Sequence, residues 1–101
     1  MTVAVRNGCQ VCVAMHTGKL RKLGANAALI AALRMGSTLD DERLEAVRRF
    51  TVKVLAEAGG VDDEAIVDFR AHGFSERNAL EVVFGIGVYT MSTLANRLVR
   101  A

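Results

Sequence analysis

Apolar residues recur along this chain at intervals of three and four, and strict apolar/polar alternation is almost absent. That periodicity predicts helices throughout and no sheet. The first clear stripe is Cys9, Cys12, Val13, His16, Leu20 and Leu23, which predicts a helix from Cys9 to Leu23 stopped by Gly24. Its polar side carries Gln10, Thr17, Lys19, Arg21 and Lys22, with the cations near the carboxyl end where the helix dipole favours them. A short apolar lead-in, Thr2 to Arg6, precedes it as a stub of helix. Asn7-Gly8 breaks the two apart, since both residue types tolerate positive φ.

The remaining segments follow the same logic. Asn26 is a suitable cap for a helix from Ala27 to Met35, closed by Gly36. An amphipathic helix from Asp41 to Ala58 presents Leu44, Val47, Thr51, Val54, Leu55 and Ala58 on one stripe, and Gly59-Gly60 ends it. Asp62, Asp63 and Glu64 open a short helix that turns Ile66 and Phe69 inward and closes at His72-Gly73. Ser75 caps a last helix, Glu76 to Arg100, which is apolar almost all round from Ala79 to Met91. A helix of that kind belongs in the centre of a bundle or in a subunit interface. The fold expected is an all-α bundle of about five helices, forming an oligomer.

Composition narrows this picture. The 101 residues argue for one domain spanning 1–101. A chain this short buries only about 60–70% of its unfolded surface, so a 51% hydrophobic content leaves apolar residues to face another subunit. With 13 basic against 11 acidic residues, the net charge of +2 is too mild for a nucleic-acid footprint, and no such partner is expected. The densest basic pair, Arg48-Arg49, lies near Glu42 and Glu45 and reads as a solvated helix face. The longest apolar stretch, Val82 to Met91, is about half of what spans a bilayer. No signal sequence opens the chain, so a soluble, cytoplasmic protein with no membrane partner is expected.

Chemistry concentrates in one run. Cys9 and Cys12 are three apart on the predicted helix, a spacing that brings side chains onto one face and allows a disulfide with little backbone movement. They sit at the amino end, where free amide hydrogens and the dipole favour a thiolate. His16 lies one turn beyond Cys12 and can take its proton or hold its thiolate as an ion pair. Two other readings stand beside this one. The cysteines serve as small core residues, or Cys9, Cys12 and His16 ligate a metal, although a structural zinc site wants a fourth ligand and the only other histidine is His72. His72 itself reads as a helix-end residue bonding the last carbonyls. Gly85-Ile86-Gly87 lies inside an apolar helix and reads as tight helix packing rather than a dinucleotide loop. Glu81 is expected either to pair across an interface, for instance with Arg97 of a neighbouring subunit, or to point toward the thiols.

The segment Asn7-Gly8-Cys9-Gln10-Val11-Cys12-Val13-Ala14-Met15-His16-Thr17, followed by Gly24, resembles the active-site helix of the alkylhydroperoxidase AhpD-like branch of the carboxymuconolactone decarboxylase superfamily. Ala71-His72-Gly73-Phe74-Ser75-Glu76, Leu80-Glu81-Val82-Val83 and Leu94-Ala95-Asn96-Arg97 are also similar to that family, in order along nearly the whole chain. The resemblance implies an all-helical bundle assembled as a trimer or hexamer. It implies a thiol-dependent peroxidase or disulfide reductase with Cys12 as the attacking thiolate, Cys9 as the resolving thiol and His16 as the residue that activates Cys12. Peroxide would be the substrate, a dithiol protein or small thiol the reductant, and no cofactor is implied. The family pattern also has helices before the motif, one bearing a glutamate of the proton relay, and a second histidine where Val11 stands here. This chain is expected to be a form lacking those helices. A decarboxylase-type enzyme and a catalytically weak metal-binding or assembly module are the alternatives.

Overall fold

Local capping chemistry sets most of the element boundaries. In a computed structural model covering residues 1–101 the chain is all-helical, with six helices and no strand: α1 Thr2–Arg6, α2 Gln10–Lys22, α3 Ala27–Met35, α4 Glu42–Ala56, α5 Asp63–Ala71 and α6 Glu76–Leu98. Asn26 Oδ1 accepts from Leu29 N at 2.8 Å, Asp41 caps α4 through Arg43 N and Leu44 N, and Asp62 caps α5 through Ala65 N. Each satisfies amide hydrogens that the first helical turn leaves unpaired. Ser75 and Asn78 form a reciprocal box at the head of α6: Asn78 N donates to Ser75 Oγ at 3.1 Å, and Ser75 N donates to Asn78 Oδ1 at 2.8 Å.

Two compact units emerge. The first comprises residues 1–39 and 88–101. Here α1 packs on α2 and α3, and Ala4, Cys9, Cys12 and Val13 form a small cluster. The second comprises residues 40–87. It is built on α4 and α5 around Phe50, Val54 and Phe69, with Val47, Val61, Phe74, Ala79, Val82 and Ile86 packed against them. Phe50 stacks on Phe69 with ring centroids 4.2 Å apart, and Phe69 stacks on Phe74 at 4.7 Å.

Several side chains point elsewhere than the stripes imply. In α2, Leu23 is 83% exposed while Thr17 is buried, its hydroxyl donating to Val13 O at 2.8 Å. The backbone bond hides the polar group, and the helix's last turn projects beyond the cluster. In α4 the buried apolar line is Ala46, Phe50 and Val54, joined by Thr51 as the stripe predicts, while Leu44 is exposed and Ala58 lies exposed beyond the helix end at Ala56. The aromatic stack on Phe69 fixes that rotation. In α5, Ala65 and Phe69 face inward and Ile66 is exposed. Arg48 is not a solvated charge either. It forms a two-pronged ion pair with buried Glu45, at 2.6 and 2.8 Å, while Arg49 bonds Asp68 at 2.9 Å.

The last helix departs from the first of the two places expected for it, the centre of a bundle. Within the single chain α6 is not a central element: only Thr93 is buried, and Leu80, Phe84, Met91, Leu94 and Leu98 are exposed. Nothing lies within 4 Å of where a Cβ would stand on Gly85 or Gly87, so those glycines serve no close packing within the chain. With its flanking residues the apolar stretch becomes a helix of 23 residues, long and apolar enough by length and composition to cross a membrane.

Candidate active site

The motif is presented by a helix–turn–helix whose turn has a specific cause. Asn7 ends α1 in a right-handed conformation (φ −85°), and Gly8 follows at φ +66°, a left-handed backbone that favours glycine. The pair closes a Schellman turn, with Gly8 N donating to Val5 O and Cys9 N donating to Ala4 O. The chain reverses there and enters α2 with Cys9 as the residue before its first turn.

Cys9 therefore takes the capping position that serine or aspartate holds elsewhere, and its sulfur accepts from Cys12 N at 3.4 Å. Cys12 lies one turn on, with 5.2 Å between the two α-carbons, and the sulfurs are joined as a disulfide. Both residues are 2% exposed. Asn96 Nδ2 donates to Cys12 Sγ at 3.3 Å from the far end of the sequence.

His16 occupies the next turn of the same face, where residues four apart place their β-carbons about 5–6 Å apart. It is 8% exposed, and Tyr89 meets its ring edge-to-face with centroids 4.8 Å apart at 82°. Burial pushes the imidazole below its ordinary value of 6.5, and nearby positive charge pushes it further the same way. The ring is thus neutral at pH 7 and able to accept a proton.

The carboxyl half of α6 supplies groups to which the sequence assigns no role at the thiols. Tyr89, Thr93, Asn96 and Arg97 recur at helical spacing on one stripe. Tyr89 covers His16, Thr93 Oγ1 accepts from Asn7 Nδ2 at 2.9 Å, Asn96 reaches Cys12, and Arg97 Nη1 donates to Asn7 O at 2.6 Å. The signal was present as four polar-tipped residues on one line of a greasy helix.

No model of a known protein family matches the chain, and no curated protein matches it.

The remaining candidates find ordinary partners. His72 Nδ1 lies 2.8 Å from Asp68 O, the carbonyl one turn back, and Arg43 Nε donates to His72 O at 3.1 Å. Arg49 hydrogen-bonds the Asp68 carboxylate and holds it below the ordinary carboxylate value, with His72 and Lys53 contributing smaller amounts. These contacts tie α4 to α5. Glu81 bonds Asn78 at 3.3 Å and pairs with Arg77 at 3.7 Å, both on its own helix, while Arg97 serves Asn7. No three histidine, cysteine or acidic side chains converge as a metal-ligand group.

What remains is one arrangement with chemical capacity. It holds two sulfurs joined as a disulfide, an imidazole one turn away that burial biases toward its neutral form, and an amide donor on the Cys12 sulfur.

Proposed function

We propose that this protein is a thiol-dependent peroxidase or disulfide reductase of the AhpD-like kind, working through Cys9, Cys12 and His16. The observation that carries the reading is the Cys9–Cys12 disulfide at the head of α2, with the buried His16 one turn along the same face.

In the reduced protein His16 takes the proton of Cys12, and the helix amino end stabilises the thiolate. The thiolate attacks one oxygen of a hydroperoxide. A sulfur–oxygen bond forms, the oxygen–oxygen bond breaks, and sulfur is oxidised by two electrons to a sulfenic acid. The departing alkoxide takes the proton held on His16 and leaves as an alcohol. Cys9 then attacks the sulfenic sulfur, and the hydroxyl leaves with the Cys9 proton as water, giving the disulfide. A dithiol protein or small dithiol supplies two electrons and two protons to restore both thiols. The balance is hydroperoxide plus dithiol giving alcohol, water and disulfide. Disulfide reductase activity uses the last exchange in reverse on another disulfide.

We also place a second copy of the chain, within a trimer or hexamer, on the apolar face of α6. Exposed Leu80, Phe84 and Met91 favour an apolar partner, whereas Arg77, Glu81 and the Asn96 and Arg97 bonds to the motif disfavour burial of the whole helix in lipid. Light scattering at micromolar concentration should find an oligomer, and a stable monomer would remove this part of the reading.

The roles of the two sulfurs separate by trapping. After one equivalent of hydroperoxide, the Cys9→Ser protein should hold a sulfenic acid on Cys12 that dimedone captures. The Cys12→Ser protein should yield no such adduct. Equal trapping on both, or on neither, would overturn the assignment.

A further inference from the structure

The two sulfurs have different hydrogen-bond donors, and only one donor belongs to the motif. Cys9 Sγ accepts from the backbone N–H of Cys12, which every helix start provides. Cys12 Sγ accepts from a side-chain amide delivered by α6, 84 residues away in sequence. A disulfide sulfur has no proton to give, so only the Nδ2 face of Asn96 can make this bond. The carboxamide is half-buried. Its position is fixed by its own helix, which is fastened on either side of it: Thr93 accepts from Asn7 three residues before, and Arg97 donates to Asn7 O one residue after. Arg97 also lies where a side chain at residue 8 would approach it, with Nη1 3.4 Å from a Cβ placed on Gly8.

The geometry points to Asn96 as the residue that stabilises the Cys12 thiolate and so makes Cys12, rather than Cys9, the attacking sulfur. This rests on the proposed thiol chemistry and adds to it a group outside the CxxC-x3-His run. An N–H bond to a disulfide sulfur is weak. The same bond to a thiolate is charge-assisted and considerably stronger. Reduction therefore strengthens the Asn96 contact on one sulfur, while the capping N–H continues to serve the other. A neutral donor also suits a site beside His16, because it favours the thiolate without adding a positive charge that would further oppose imidazole protonation.

The test is the pH dependence of iodoacetamide alkylation of the reduced protein, resolved by mass spectrometry for Cys9 and Cys12 separately, with helicity followed by circular dichroism. Asn96→Ala should move the Cys12 profile upward by about one pH unit, equivalent to a tenfold change in its ionisation equilibrium, and leave the Cys9 profile in place. Asn96→Asp preserves the shape but puts a carboxylate against the sulfur, so it should move the Cys12 profile further in the same direction. Cys12 profiles that overlay the wild type in the folded variants would overturn the proposal. So would loss of helicity in both variants, which would make Asn96 a packing residue. Peroxide consumption is measured on the same samples. A wild-type protein that ignores peroxide yet shows the Cys12 shift would end the peroxidase reading and leave the role of Asn96 standing.

Discussion

The two units of this chain are held together in different ways. In the second, residues 40–87, three stacked phenylalanines supply the core, the Arg49–Asp68 pair ties α4 to α5, and the Arg48–Glu45 pair lies within α4. In the first, the cluster around the motif is Ala4, Cys9, Cys12 and Val13, with no aromatic ring among them. Order there comes from a covalent bridge and from polar contacts: Asn7 with Thr93, Arg97 with Asn7, and Asn96 with Cys12. Apolar stacking is strong and chemically inert. Sulfur, amide and imidazole groups contribute less to stability but can change protonation and oxidation state. The sulfurs, amide and imidazole accordingly lie in the unit whose motif cluster has no aromatic stack.

The largest effect expected from this contrast falls in the aromatic unit. Phe69 stacks on both Phe50 and Phe74, so Phe69→Ala should lower unfolding free energy by about 3–5 kcal/mol, the usual range for losing a buried phenyl ring. Urea denaturation monitored by circular dichroism measures it. A loss below 1 kcal/mol would show that the stack is not the core of that unit.

Opening the disulfide should matter less. A bridge across four residues restricts the unfolded chain only a little, worth about 2 kcal/mol by loop entropy. Unfolding of the reduced and oxidised proteins under the same conditions gives the difference. A much larger loss on reduction would mean that the bridge is structural and that the dithiol form is not a working state.

A smaller, pH-dependent effect should trace to His16. Burial lowers its folded-state pKa below the ordinary 6.5. Above pH 6.5 the ring is neutral in both folded and unfolded chains and its contribution is intact. As pH falls below 6.5 the unfolded chain takes up a proton before the folded one does, so stability declines until the folded pKa is passed. Oxidised wild-type protein should show this decline and His16→Gln should lack it. Identical pH profiles would place His16 in a solvated setting.

Much of this organisation was legible in the residues, for reasons that differ by element. Helix ends were read correctly where a cap is local, as at Asn26 and Gly36 around α3, because the capping bond spans three residues. The cysteine and histidine spacing was equally local, and the structure sets all three on one buried face of α2. The α4 stripe was read in part: Val47, Thr51 and Val54 do turn inward, but Phe50 was missed because its partner Phe69 lies in another helix. The central place in a bundle allowed for α6 is not what the single chain shows, and the contacts of Tyr89, Thr93, Asn96 and Arg97 to the motif were not legible beside its apolar run. Their helical spacing is visible in the sequence, but which residue each bonds, more than 80 positions away for Thr93, Asn96 and Arg97, leaves no local trace.

The central claim is that Cys9 and Cys12 form a redox pair that consumes peroxide. Its most direct test is a single turnover on reduced protein freed of excess thiol. One equivalent of an alkyl hydroperoxide should disappear, and the intact mass should fall by two hydrogens per chain with no crosslink between chains. An unconsumed hydroperoxide with both thiols still titratable would contradict the account.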